Sequence, residues 1–539
     1  MATLVALIMV GMLALIGIAA LSTSDDEVMV AGNQLHETQA FYAAESGLDV
    51  AAASIQHQYE TSGGKPPTSL PEGEDDINGC SVLYTTTPDG GATSEVLTTG
   101  TLSGLHALVQ SYTLQSTGTS GDNSSEVELQ QQFKAALVPI FQFAVFYGQD
   151  LEIAPGPEMN LLGRVHSNQD LYIQAGNRLR MDSYTTAAGN IYHGRKGPGS
   201  TDAGDVLVKN GVGDYVSMKE GSGWLDANDG HWYDSSVARW NGRVQDASHG
   251  QKAIELPLEG TTDAHQIIEP AGSTNTNSYE HKATLKFIDN QAFKKDNTGA
   301  WVNVTADMTA KGIITYSADK FYDGREAKNV DVTDLDMDKL YSEGYGPTNG
   351  IIYFSDNVVG SSEYPALRLK NGTELGDELT IASANPVYTV GNYNSTNKKP
   401  ASIMTDALTF LSSAWDDAKG ALAKSNRVAN ATTVNCSYLT GNKSTTSTVY
   451  SGGFENLPRF LESWTNKTMT WRGSAVCLWQ AEQALGSWGG TYYDPPNRSW
   501  WYDMDLDDPA NLPPGTPMAQ VFQRLGWQQH HAIIDAQKF

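Results

Sequence analysis

The sequence predicts an α+β protein with three parts: a long N-terminal helix, an antiparallel β-meander, and a large β-rich C-terminal region with β-solenoid-like repeats. Three observations predict it. Ala2 to Leu21 contains no charged residue, and beyond "STSDDE" apolar residues return at three- and four-residue spacing as Phe41, Ala44, Leu48, Ala51 and Ile55. Short runs rich in Val, Leu, Thr and Tyr then alternate with Gly, Asp and Asn turns. From Gly148 onward the chain aligns with itself at a step of twenty residues.

Bulk composition narrows the function classes. The 539 residues suffice for several domains, and the 35 basic and 62 acidic residues leave a net charge of −27. No basic stripe interrupts that acidity, so a nucleic-acid partner is not expected. A soluble, self-repelling surface is the plain reading of the charge. The three cysteines, Cys80, Cys436 and Cys477, form no CxxC or CxxCH. Cys436 and Cys477 lie in one C-terminal region and could pair, or all three could be buried thiols.

The first element spans residues 1–57. Its apolar start is long enough to cross the ~30 Å hydrocarbon layer of a bilayer at ~1.5 Å per residue. It lacks the basic n-region and short apolar core of a secretion signal. The whole helix would run roughly 85 Å, apolar all round at first and one-sided afterwards. "TSGGKPPTSLPEGEDDING" ends it.

This architecture resembles a mature type IV pilin. The stretch "VMVAGNQLHETQAFYAAESGLDVA" is similar, more specifically, to the PilX-type group, through Ala31, Gly32, Asn33, Phe41, Ala43, Ala44 and Glu45. The resemblance implies a helix that waits in the inner membrane and is then extracted into a filament core. Met1 would be the N-terminus left by prepilin peptidase, and methylated. Implied partners are the type IV pilus assembly machinery and copies of the chain itself. The implied assembly residues are Met1, Leu4, Val5, Leu7, Ile8, Leu13, Ile16, Phe41, Ala44 and Leu48. One departure stands out. Major pilins carry Glu at the fifth mature position, where it neutralises a neighbour's amine, and this chain has Val5. Asp25, Asp26 and Glu27 either mark the membrane edge or meet that amine instead.

Residues 58–138 read as a linker and a pilin-like sheet, in "CSVLYTTT", "SEVLTTGTLS", "ALVQSYTLQSTGTS" and "SSEVELQQQFKAALV". Residues 139–400 read as a solenoid-like region with an insertion at about 196–300. In it Leu151 falls on Leu171 and Ile191, Ile153 on Ile173, and Met159 and Leu161 on Leu179 and Met181. His166 is read as structural. "VPIFQFAVFYGQDLEIAPGP" and "SGGFENLPRFLESWTNKTMTWRGSAVCLW" also resemble segments of long PilX-type proteins. Residues 401–539 read as a helix, "PASIMTDALTFLSSAWDDAKGAL", followed by a β-rich extension.

No P-loop, HExxH or GxSxG occurs, so no catalytic residue, metal ligand or cofactor is assigned. Asp226 and Asp229 of "DANDG" are read as a solvated turn, the run Asp331, Asp334, Asp336 and Asp338 as a charged edge strand or helix start with cation binding as the alternative, and Asp503, Asp505, Asp507 and Asp508 as a polar turn or adventitious cation site, with glycoside hydrolysis as the alternative. Sequons at Asn430, Asn435, Asn442 and Asn466 are possible glycosylation sites. Three functions follow in order: a structural filament subunit, a minor tip pilin used in adhesion or initiation, and a membrane-tethered β-solenoid enzyme acting on polysaccharide.

Overall fold

The computed structural model describes residues 1–199, 201–357 and 364–534, with side chains to His530. The class is α+β, as expected. One long helix leads, and strands in several sheets follow. The chain forms two compact units: residues 1–95 and 108–137 with the chain from Val521 onward, and residues 96–107 with 138–520.

In the smaller unit a single helix runs Ala2–Thr61. Its second half lies on an antiparallel sheet built from Gly73–Ile77, Cys80–Pro88, His106–Thr119 and Ser125–Pro139. Strand Met518–Ile534 joins the far edge beside Ser125–Pro139, and Thr93–Val96 pairs with His106–Thr119. The last strand is a β-extension that returns to this sheet from the other end of the chain. The helix face is made of small residues, Ala40, Ala43, Ala44, Gly47, Ala51 and Ala52, so backbone approaches backbone. A Cβ on Gly118 would lie 2.1 Å from the Ala40 carbonyl oxygen and 2.5 Å from the Ala44 nitrogen. Leu48, Ile55 and Tyr59 complete the core with Tyr112, Leu114, Leu129 and Phe133. The Tyr59 and Tyr112 hydroxyls share a buried hydrogen bond of 2.8 Å.

The larger unit stacks short parallel strands, one rung on the next, in several ladders. The expected twenty-residue alignment is its pairing register: Leu151 opposite Leu171 opposite Ile191, Ile153 opposite Ile173, and Met159 and Leu161 opposite Leu179 and Met181. Each rung buries one apolar residue over the next. Asp side chains tie the turns in the same register. Asp150 accepts the Asp170 N–H (3.0 Å) and Asp170 accepts that of Asn190 (2.8 Å).

The longest sheet shows how the chain fills this stack. Strand Phe143–Tyr147 sits in the middle, and Arg164–Ser167, Thr185–Ala187 and Val244–Gln245 step away from it in one direction. The chain then crosses to Leu285–Ile288, where the parallel part ends and Gln291–Lys295 and Trp301–Asn303 continue the sheet antiparallel to its far edge. It winds back through Ile351–Ser355, Leu379–Ser383, Ala401–Thr405 and Ser437–Thr440 to Ala475–Cys477, beside its starting strand. One ladder position runs through it all: Leu285, Ile352, Ile381, Ile403, Tyr438, Ala475, Val145, Val165, Thr185 and Val244.

Three expectations change here. The stretch at about 196–300 is not one insertion, because Asp205–Lys209, Val244–Gln245 and Leu285–Ile288 all pair within ladders. Between these strands, Tyr215–Ser217, Lys219–Glu220 and Gly223–Trp224 pair only antiparallel, the helix Trp232–Trp240 follows, and the crossover 246–284 holds no strand of a parallel ladder. The helix expected at 400–422 is absent. Ala401–Thr405 and Leu408–Leu411 are fully buried parallel strands with a corner at Asp406. Cys436 and Cys477 are both buried and free, as is Cys80. Cys477 follows in register with Thr440, four positions along from Cys436. At ~3.3 Å per residue that separation exceeds the ~7 Å Cα limit of a disulfide.

Candidate functional site

The segment set apart from both cores is the first half of the helix. Residues 1–31 are exposed throughout. An 18-residue window there has mean hydropathy 2.8 with none of it buried, enough by length and composition to cross a membrane. Met1, Leu4, Val5, Leu7, Ile8, Leu13 and Ile16 all lie open, Leu7 at 78% and Leu13 at 67% exposure. A helix apolar on every side wants lipid or other helices around it. Exposed apolar surface on this scale marks an interaction site.

The other expected assembly residues are differently placed. Ala44 is fully buried and Leu48 is 3% exposed, both against the chain's own sheet. Phe41 is half-buried, with its ring edge-on to Trp527 at 5.2 Å. These three belong to the intramolecular core. Asp25, Asp26 and Glu27 are exposed on the same helix.

The acidic clusters are largely occupied by the chain itself. Asp334 binds Arg368 by two bonds, 2.6 and 3.0 Å, and Asp417 binds the same guanidinium. Asp331 accepts the Asp319 N–H, and Asp336 caps the helix Met337–Ser342. Asp226 and Asp229 hold backbone N–H groups of their own turn and of His193. Asp503 and Asp505 hold Lys398, Asp507 accepts the Tyr502 hydroxyl, and Asp508 caps a turn. Among the sequons, Asn430 and Asn466 are exposed. Asn435 is half-buried and its amide donates to the Asn394 carbonyl. Asn442 is half-buried at a bridge to Gln480.

His166 is structural in every bond. Its Nδ1 meets the Thr186 hydroxyl at 2.8 Å and its Nε2 meets Asn168 Oδ1 at 2.9 Å. Asn168 uses the same amide to clamp both backbone groups of Ile254 in the crossover. Oδ1 can only accept, so Nε2 carries a proton and donates. Burial holds its pKa down at about 4.

Two groupings had no local signal in the sequence. Burial and the Glu455 carboxylate push Glu152 up to about 7 beside a cavity lined by Tyr147, Tyr172, Lys196 and Phe454. That cavity is about 20 Å³, room for about one water. The second grouping brings together His265, Glu269, Asp406 and Glu482, residues up to 217 positions apart. Only the three-dimensional winding reveals either.

No protein-family model matches this chain, and no curated protein matches it. Among solved structures, the chain is similar to the competence-associated pilin ComZ from Thermus thermophilus. The match covers 92% of this chain and 97% of that one, at 12% identity and a TM-score of 0.29. At that identity and score, function must be argued from this chain's own residues.

Proposed function

We propose that this chain is a structural subunit of an extracellular type IV pilus-like filament. The observation that carries the reading is the bare apolar half of a helix whose other half is locked under its own sheet. Copies would bundle residues 1–31 into an apolar core and display the β-rich units outside. Burying that surface would favour assembly by roughly 25 cal/mol per Å², and one repeated head-to-tail contact gives an open helix. Before assembly the same segment would sit in the inner membrane, delivered by prepilin peptidase and the pilus machinery. The PilX-type assignment rests on the motif from Ala31 to Glu45, with the later segments "VPIFQFAVFYGQDLEIAPGP" and "SGGFENLPRFLESWTNKTMTWRGSAVCLW" beside it.

A charge at Leu7 or Leu13 tests this. Leu7→Asp and Leu13→Asp are expected to abolish filaments on sheared cell surfaces while both β units stay folded by hydrogen exchange. Filaments of normal length from either variant would overturn the reading. Val5 favours the second reading, a minor tip subunit active in adhesion or initiation. The same electron micrographs decide between them: copies at regular spacing along the filament indicate the main subunit, and copies only at one end a tip protein. For the polysaccharide-enzyme reading, the Glu152 cavity is too small for a sugar ring.

A further inference from the structure

The grouping around His265 has the makings of a metal centre. His265 lies in the turn Ala264–Ile267 of the crossover, started by Asp263, whose side chain accepts the His265 N–H at 3.0 Å. Its side chain is 4% exposed. Nδ1 faces Glu269 Oε1 at 2.8 Å and Glu482 Oε1 at 3.8 Å, and one donor atom from each of the three lies within 4.8 Å of the others. Donors ~2.0–2.2 Å from a tetrahedral zinc ion stand about 3.4 Å apart, so these separations bracket the needed geometry.

The ring's other nitrogen supplies the second observation. Nε2 is buried without a hydrogen-bond partner, and it points at Asp406 Oδ1, 3.8 Å away. Asp406 is itself fixed by the backbone N–H groups of Glu482, Gln483 and Ala484. A metal-binding imidazole regularly turns its free N–H to such an anchored carboxylate, which sets the tautomer and the ring angle. Trp479 packs edge-on against the imidazole at 5.4 Å and holds its plane. Glu482 is exposed and gives a cation a way in.

The geometry points to a divalent transition-metal site, zinc by preference, ligated by His265 Nδ1, Glu269 and Glu482 with water in the remaining position. One imidazole nitrogen with two carboxylates suits zinc better than the all-oxygen shells of magnesium or calcium. Asp406 is the positioning residue. The ion would pin the crossover, through His265 and Glu269, to Glu482 in the loop after Ala475–Cys477, a loop that Asp406 already holds by its backbone N–H groups. It would therefore act as a staple for the winding, and zinc uptake would release the Nδ1 proton.

The test uses the detergent-solubilised full chain titrated with zinc chloride against a chromophoric chelator. One saturable ion per chain and a raised Tm are expected. Cobalt(II) in its place should show the strong visible absorption of a tetrahedral site. Glu482→Gln, on an exposed side chain, should fold normally and lose the site. Asp406→Asn should weaken affinity by about 10- to 100-fold without changing the one-to-one stoichiometry. Absence of saturable binding to the unaltered chain would overturn the proposal. So would affinity unchanged in Glu482→Gln, which would place the ion elsewhere.

Discussion

At the scale of single residues, a buried neutral histidine makes stability depend on acidity. His166 has its folded pKa lowered from the ordinary 6.5 to about 4, because burial disfavours the charged ring and no carboxylate faces it. Thr186, Asn168 and the rings of Phe143 and Phe146 surround it. An unfolded chain takes up this proton below pH 6.5, whereas the folded one resists until about 4. The contribution is therefore whole above 6.5 and is lost as pH falls through about 4, at most about 3 kcal/mol. His193, also lowered to about 4 by burial with Lys219 nearby, adds to the same limb. The raised Glu152 works the other way over the same range, so the readout, by chemical denaturation, is the difference between two chains: from pH 7 to 4, His166→Gln should lose less stability than the unaltered chain. An equal slope in that variant would remove His166 from the account.

Elements pack as closely as their smallest residues allow, and here Gly118 sets the distance between helix and sheet. The atoms a side chain would strike, the Ala40 carbonyl oxygen and the Ala44 nitrogen, are backbone in the middle of a helix and cannot step aside. Gly118→Val is expected to cost about 3 kcal/mol, the upper range of overpacking. Amides of helix residues 40–61 should lose hydrogen-exchange protection together, while the rung strands Leu151–Ile153 and Leu171–Ile173 keep theirs. Much at this scale was legible in advance. Periodicity showed the helix, its buried face and the register of the first rungs, because each is a repeat of nearby residues. The misread helix at 400–422 shows the limit. Ile403, Ala407, Leu408 and Leu411 satisfy helical spacing, yet strands buried on both faces carry unbroken apolar runs that mimic it. What decides between them is the corner at Asp406, whose carboxylate is satisfied by N–H groups at 482–484. No local pattern contains that partner. The His265 grouping escaped for the same reason, whereas the apolar half of the helix needed no partner to be seen.

For the whole molecule, the decisive feature is that the chain closes on itself twice. The longest sheet is entered and left at adjacent strands, Phe143–Tyr147 and Ala475–Cys477, and strand Met518–Ile534 completes a sheet begun near the N-terminus. Within that sheet Phe522 stacks on Phe133 at 5.8 Å and meets Tyr59 edge-on at 6.1 Å, so the last strand seals the core under the helix. Gln131 reaches the Leu525 carbonyl, and Arg524 pairs with Asp49 on the helix. Removing the chain from Val521 onward would leave Ser125–Pro139 as an open edge, a template for pairing with other chains. Phe522→Ala removes the ring alone and should cost about 2 kcal/mol, less than the ~3–5 of a fully enclosed Phe because Phe522 is half-buried. The two variants separate the roles of ring and backbone. Truncation should aggregate, with protection lost along Ser125–Pro139. Phe522→Ala should stay monomeric in detergent, with a lowered Tm and that strand still protected. If truncation leaves Ser125–Pro139 protected, the returning strand contributes nothing to the sheet it joins.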